Sequence, residues 1–125
     1  MKPDYRKAMI ESEIVKLVME AIRQAKDPKI AGKLITVSRA ELSKDKRYVD
    51  VYISVVGDEN ERKNLVEHMN KIKGYFRSYI AQNLDIYAVP DIRFKEDKGI
   101  EASVRVHSLL EKLKEDKKGE RNSAG

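Results

Sequence analysis

Three basic side chains, Lys71, Lys73 and Arg77, lie close together around Gly74, and no acidic residue separates them. Lys73 and Arg77 are four residues apart, so they lie on one face of a helix. Glycine weakens a helix and lets another backbone approach closely. A helix that begins at such a break also presents free backbone N–H groups, which bind anions. The segment therefore indicates either a phosphate-contacting helix junction or an ordinary solvated helix face, and the pattern leaves both open.

Several other basic residues are candidates for contact with an anion because of where they fall on the predicted elements. They are Arg6 and Lys7 at the start of the first helix, Arg47 beside a hairpin turn, and Arg93 and Lys95 on the polar face of the last strand. Taken one at a time, each is better explained as a surface charge than as a ligand contact. Tyr75, next to the glycine, has the ring to stack on a nucleic-acid base, although packing is its more ordinary role.

Catalytic residues find little support in the sequence. The two histidines, His68 and His107, lack the spaced partners of a zinc site, and we interpret His68 as a solvated helical residue. No two carboxylates stand out as an acid–base pair, and the glycine-rich loops of nucleotide-binding proteins are missing from the sequence. The chain has no cysteine, which excludes disulfides and cysteine nucleophiles. We therefore predict a binding protein rather than an enzyme, with no metal site.

Composition and charge bound the kind of protein and the kind of partner. The chain has 125 residues, enough for one domain with a single modest core. Its net charge of +5 and isoelectric point near 9.3 favour an anionic partner. The N-terminus lacks the apolar run of a secretory signal, and no stretch reaches the ~18 apolar residues of a membrane span. We therefore expect a cytoplasmic protein that does not enter a membrane.

Two predicted strands enclose the basic segment. Tyr48–Val55 alternates apolar and polar residues, which is the two-residue period of a half-buried strand. Asp58 stands three residues before Glu61, the spacing of a helix cap, and an apolar helical stripe follows with Gly74 in its middle. After Pro90, apolar residues alternate with basic ones as another strand. Because these two strands are joined by a helical crossover, they should be parallel.

The segment before this unit predicts a helix and one more strand. The helix begins near Pro3-Asp4, and Asp27-Pro28 ends it. The strand at Leu34–Leu42 changes the phase of its apolar residues near Ser38, which indicates either a β-bulge or burial on both faces at one end. A polar turn joins this strand to Tyr48–Val55, so the two should pair antiparallel, with Tyr48–Val55 in the middle of the sheet.

The C-terminal part of the chain predicts a last helix and a tail. Apolar residues at helical spacing between Val106 and Leu113 favour the helix. The residues that follow are polar and have no periodicity. We therefore predict a folded domain at residues 1–114 and a disordered tail at residues 115–125.

From the first helix onward, the sequence resembles bacterial ribosome-binding factor A. The resemblance covers about residues 5–113 and rests on six segments in the family's order and spacing: Asp27–Ile30, Ile35–Ser38, Leu42–Val55, Gly74–Ile80, Val89–Phe94 and Leu109–Leu110. The family carries an alanine two residues before its kink glycine, whereas this chain has Ile72 there. Arg77 also stands where the Gly-x-x-Gly loop of ordinary KH domains has its second glycine.

The resemblance implies a fold and a function. The fold would be α+β and type II KH-like, helix–strand–strand–helix–kink–helix–strand with a three-stranded mixed sheet, plus a C-terminal helix. The protein would associate with the free small (30S) ribosomal subunit and assist 16S rRNA maturation without a cofactor, and we expect a monomer. Positive charge would supply affinity, and shape would supply position. A general single-stranded RNA- or DNA-binding domain, or a protein-interaction module that uses the open sheet face, stays as an alternative.

Overall fold

The computed structural model describes residues 5–86 and 88–98. They form, in chain order, α1 (Tyr5–Gln24), β1 (Ile35–Leu42), β2 (Tyr48–Val55), α2 (Glu59–Lys71), α3 (Lys73–Asn83) and β3 (Asp91–Glu96). This is the predicted order of elements, and the α+β fold class is confirmed. The predicted start of the first helix at Pro3-Asp4, the C-terminal helix and the tail at residues 115–125 lie outside the described residues.

The three strands form one mixed sheet in the order β1-β2-β3. β2 lies in the middle and pairs antiparallel with β1 and parallel with β3, as predicted. The register between β1 and β2 shifts between Val37 and Arg39, which is the β-bulge that the phase change indicated. The bulge brings Val37, Ala40 and Leu42 to the same buried face, so the alternative of burial on both faces is wrong.

The helices cover one face of the sheet, and the core lies between these two layers. Ile14 of α1, Met69 of α2 and Phe76 of α3 are fully buried in this core. α1 lies mainly against β1, whereas α2 and α3 lie against β3. The ring of Phe76 meets that of Phe94 edge to face, with 4.9 Å between the ring centroids. The other face of the sheet carries polar side chains such as Asp50.

α1 ends at Gln24, three residues before the predicted boundary at Asp27-Pro28. The chain then makes a turn around Asp27, whose carbonyl oxygen accepts from the N–H groups of Ile30 (2.9 Å) and Ala31 (2.8 Å). Its carboxylate accepts from the N–H of Lys29 at 2.9 Å. The turn places Ile30 in the core, where the residue is 1% exposed. These bonds fix the turn, and the burial of Ile30 holds the loop of residues 25–34 against the domain.

α2 is fixed at both ends by side-chain hydrogen bonds. Asp58 caps its start, and the carboxylate accepts from the N–H of Glu61 at 2.8 Å, as the spacing predicted. Near its other end, the Asn70 amide donates to the carbonyl of Phe94 (3.0 Å) and accepts from the N–H of Phe94 (2.8 Å). Asn70 thereby covers the free edge of β3 at this position, since β2 pairs with the other edge.

The long helical stripe is interrupted at Ile72, two residues before the predicted break at Gly74. The N–H of Ile72 donates to the carbonyl of His68 in α2, and its carbonyl accepts from the N–H of Tyr75 in α3. Because the Ile72 side chain packs against the core, the break coincides with a residue held by packing. Gly74 lies in the first turn of α3, which begins at Lys73, one residue before the glycine.

Candidate nucleic-acid interface

One depression gathers basic side chains from three separate segments. Arg6 of α1, Lys46 and Arg47 of the β1–β2 turn, and Arg77 of α3 line a cavity of about 420 Å³. All four are exposed, and we call this cavity the basic groove. The structure thus brings together three predicted residues, Arg6, Arg47 and Arg77, that are far apart in sequence. Lys7, also predicted, is half-buried and does not line the groove.

The β1–β2 turn that carries two of these cations is held by its own side chains. Asp45 accepts from the Ser43 hydroxyl at 2.7 Å and from the N–H of Arg47 at 3.1 Å. These bonds, the Ser43 hydroxyl first, lower the pKa of the Asp45 carboxyl. Lys46 has a φ of 61°, the left-handed conformation that closes the turn. The N–H of Asp91 donates to the Arg47 carbonyl at 2.8 Å and joins the turn to the start of β3.

Lys73 and Arg77 lie one turn apart on α3 and both reach the segment before β3. The Lys73 ammonium pairs with the Asp91 carboxylate at 3.4 Å, with both side chains nearly half-exposed. The Arg77 guanidinium donates to the carbonyl of Val89 at 3.4 Å. Lys73 is therefore partly neutralised by an acid, whereas Arg77 keeps its full charge beside the groove.

The basic groove has an excess of positive charge. Its four cations face two carboxylates, those of Asp45 and Asp91, which leaves an excess of two. Asp45 lies 3.9 Å from the Arg47 guanidinium. Arg6, Lys46 and Arg77 make no ion pair with another of the described residues. Cations without an acidic partner are the ones that can neutralise a phosphate and release its counterions.

Lys71 lies apart from the basic groove. It lines a different cavity, of about 570 Å³, together with Lys29 and Lys33. The three basic residues of the predicted junction are therefore divided, since Lys71 and Arg77 line different cavities. Gly74 is exposed, and a Cβ atom placed on it would meet nothing within 4 Å.

The two predicted residues of β3 lie on the open face of the sheet and share one acid. Arg93 contacts the Asp50 carboxylate at 2.7 Å, and Lys95 contacts its other oxygen at 3.1 Å. The guanidinium of Arg93 also lies over the ring of Tyr48, 4.9 Å from its centroid. The charge of this pair is thus half compensated within the protein, which makes it a weaker candidate for a phosphate contact than the basic groove.

Tyr75 and Tyr79 join α3 to α1. The hydroxyl of Tyr75 donates to the carbonyl of Ala21 at 2.6 Å, and the hydroxyl of Tyr79 donates to the Glu20 carboxylate at 3.2 Å. Loss of solvent raises the pKa of both hydroxyls. The bond of Tyr75 favours the packing role over base stacking, although its side chain is 38% exposed.

His68 is not the solvated residue that the sequence predicted. Its Nε2 lies 2.6 Å from a carboxylate oxygen of Asp27, and the two side chains are 17% and 27% exposed. The pair joins α2 to the loop of residues 25–34. The N–H of Lys29 and then His68 lower the pKa of the Asp27 carboxyl.

Three lysines of these cavities were missed by sequence reasoning. Lys46 lies in the polar turn between β1 and β2, and no local pattern indicates that it faces Arg6 and Arg77. Lys29 and Lys33 flank Gly32, whose φ of +79° lets the loop reverse. Two lysines around a loop glycine are the only sequence pattern that could have indicated a cationic site here. The fold alone places them beside Lys71.

Metal sites and membrane spans find no support in the same part of the chain. Among residues 5–86 and 88–98, no group of three or more His, Asp or Glu side chains is placed to hold a metal ion. No helix of the described residues combines the length and the apolar character that crossing a bilayer requires.

Comparison with protein families and curated relatives gives one consistent result. The family model described as ribosome-binding factor A matches residues 6–110. A ribosome-binding factor A of Pseudothermotoga lettingae is 66% identical over 116 residues, which cover 93% of this chain and 98% of the relative. A second, of Thermotoga maritima, is 60% identical over 113 residues, which cover 90% and 86% of the two chains.

Solved structures show the same fold. A solution NMR structure of a Thermotoga maritima protein has a TM-score of 0.70 and 58% identity, and the match covers 79% of this chain and 93% of that one. A crystal structure of ribosome-binding factor A from Thermus thermophilus has a TM-score of 0.63 and 22% identity over 72% and 94% of the two chains. A homology model of Thermus thermophilus ribosome-binding factor A, fitted into a cryo-EM map of its complex with the 30S subunit, has a TM-score of 0.60 and 22% identity over 74% and 97% of the two chains.

Proposed function

Because this chain belongs to the ribosome-binding factor A family, we propose that it binds the free small (30S) ribosomal subunit and assists the maturation of 16S rRNA. The observation that carries the proposal is the family match over residues 6–110, which spans nearly the whole described domain. The Thermus relative seen in complex with the 30S subunit supports the choice of partner.

We propose that the basic groove is the principal RNA contact. Its excess of two positive charges and its three cations without an acidic partner, Arg6, Lys46 and Arg77, suit a phosphate backbone. Lys73, Gly74 and Lys71 would flank the contact along the helix junction, whereas Arg93 and Lys95 would contribute less because Asp50 holds both. Groove shape, set by the β1–β2 turn and the segment before β3, would select where on the RNA the protein sits.

We propose further that the protein acts as a monomer in the cytoplasm, without a catalytic step, a cofactor or contact with a membrane. The family is one of ribosome-binding factors, and binding with later release requires no chemistry on the RNA. Its contribution to rRNA maturation would be to stabilise one conformation of the RNA, since a ligand shifts an equilibrium toward the state it binds better.

Co-sedimentation tests this proposal. Purified small subunits, large subunits and intact ribosomes are each sedimented with the full chain at two salt concentrations. We expect the protein to pellet with small subunits, more at low salt, and to stay in solution with large subunits. Equal binding to large subunits would contradict the proposal and favour a general RNA binder.

A variant of the basic groove tests its role in the same assay. Arg6→Ala/Lys46→Ala/Arg77→Ala should weaken binding and lower the slope of log affinity against log salt by about 0.7–0.9 for each phosphate that the variant no longer neutralises. The matched control is Lys16→Ala/Lys63→Ala/Lys98→Ala, three exposed lysines outside both cavities. If binding weakens equally in the two variants, overall charge rather than the groove is responsible for it.

A further inference from the structure

A second cationic surface is formed by Lys29, Lys33 and Lys71, and we call it the loop surface. The three side chains line the cavity of about 570 Å³, and all of them are exposed. None makes an ion pair with another of the described residues. Two carboxylates, Glu61 and Glu67, also line the cavity, so three cations face two acids in its lining. The Asp27 carboxylate, which does not line the cavity, also interacts electrostatically with Lys29.

The backbone under the loop surface is held in place on both sides. Asp27 accepts from the N–H of Lys29, and its other carboxylate oxygen contacts His68, which lies three residues before Lys71 in α2. The burial of Ile30 anchors the loop from below. Lys29 and Lys71 therefore start from backbone positions at a fixed spacing, which reduces the entropic cost of holding one ligand with both side chains.

The loop surface lies at the opposite end of β2 from the basic groove. Val55, the last residue of β2, lines the cavity of the loop surface. Arg47, just before the first residue of β2, lines the basic groove. Seven steps along the strand at about 3.3 Å each give roughly 23 Å between these ends. That exceeds the screening length of about 8 Å at physiological salt, so charges on the two surfaces act independently.

Apolar side chains are exposed at the loop surface. Val56 lines the cavity and is 72% exposed, and Leu34, whose carbonyl accepts from the N–H of Val56, is 74% exposed. A surface that combines lysines with exposed aliphatic groups can bind the phosphates of an unpaired strand and make apolar contacts to its bases.

We propose that the loop surface binds a second stretch of RNA backbone, so that the domain bridges two segments of ribosomal RNA at once. This inference rests on the proposed function, because it takes small-subunit RNA as the partner. Two weak contacts on one rigid domain reinforce each other, since the second forms at a high effective concentration once the first is made. The bridge would hold the two RNA segments at a set separation while the subunit matures.

Lysine footprinting on the full chain tests the bridge. The protein is acetylated with N-hydroxysuccinimide acetate, free and bound to purified small subunits, and the rate at each lysine is measured by mass spectrometry. We expect the subunit to slow acetylation several-fold at Lys29, Lys33 and Lys71 as well as at Lys46 of the basic groove. Lys16 and Lys63, outside both cavities, are the internal controls and should react at unchanged rates.

The pattern of protection separates the two proposals. Protection of Lys46 without protection of the three loop lysines would overturn the bridge and leave the proposed function intact. Protection of the loop lysines alone would also overturn the bridge, because a single surface would then suffice. Absence of binding to small subunits would refute both the proposed function and the inference.

Substitution gives a second, independent readout. Lys29→Gln/Lys33→Gln/Lys71→Gln should lower the salt slope of subunit binding by about 2, at roughly 0.7 for each single-strand phosphate contact. Its effect on log affinity should add to that of the basic-groove variant, since distant sites are independent. An unchanged affinity and slope would overturn the inference, and the thermal melt of the variant verifies that it is folded.

Discussion

Replacement of Asn70 by alanine would remove the side chain that joins α2 to the edge of β3. In the native protein its amide donates to the Phe94 carbonyl at 3.0 Å and accepts from the Phe94 N–H at 2.8 Å. Asn70 lies two residues before the break at Ile72, so these bonds also hold the helix junction at its place over the sheet.

The magnitude follows from the burial of the groups left behind. Phe94 is 3% exposed, so its N–H and C=O would lose their partner in the interior. Each unpaired buried polar group costs about 1–3 kcal/mol, which gives about 2–6 kcal/mol for the two. Because Asn70 itself is half-buried, water reaches the gap, and we expect a loss at the lower end, about 2 kcal/mol.

Urea unfolding followed by circular dichroism measures this loss. With a slope of about 2 kcal/mol per molar for a small domain, the midpoint should fall by about 1 M. Asn64→Ala is the matched control, because Asn64 is an exposed residue of the same helix, and its change should stay within about 0.5 kcal/mol. Equal midpoints for the two variants would refute the reasoning, since the bonds to Phe94 would then contribute nothing.

Two further predictions concern the helix junction and the loop. Gly74→Ala should raise the free energy of unfolding by up to about 1 kcal/mol, because Gly74 is helical and a Cβ atom there meets nothing within 4 Å. The melting temperature should therefore rise, and a lower melting temperature would contradict this prediction. The hydrogen bond from the Lys29 N–H, and then His68, hold the pKa of the Asp27 carboxyl below its ordinary value of 3.8. The ionised carboxylate therefore stabilises the folded protein at pH values above 3.8. This stabilisation is lost as the pH falls through the lower pKa that the carboxyl has in the folded protein. Asp27→Asn should therefore lower stability at neutral pH and flatten its decline below pH 3.8, and an acid-unfolding profile parallel to that of the wild type would contradict this.

Features that depend on neighbouring residues were predictable from the sequence. The alternation of Tyr48–Val55 identified the central strand, and the spacing of Asp58 and Glu61 identified the cap of α2. The change of phase near Ser38 indicated the bulge, although the sequence could not distinguish it from burial on both faces. The strand order also followed, because a helical crossover makes β2 and β3 parallel neighbours.

The position of the helix break shows where local propensity is insufficient. Glycine has the weakest helix propensity in this segment, so the sequence placed the break at Gly74. Packing of the half-buried Ile72 against the core decides otherwise, and Gly74 becomes an ordinary residue of the first turn of α3. A tertiary contact outweighs a preference of about 1 kcal/mol.

The sequence by itself determined the family resemblance, the element order and the excess of positive charge. Which cations lie together was decided by the tertiary structure alone, because Arg6, Lys46 and Arg77 meet only when α1, the β1–β2 turn and α3 pack on one sheet. The same packing pairs Lys73 with Asp91, and partners that are distant in sequence leave no local pattern. A charge is visible in a sequence, but whether an acid neutralises it depends on distances that only the fold sets.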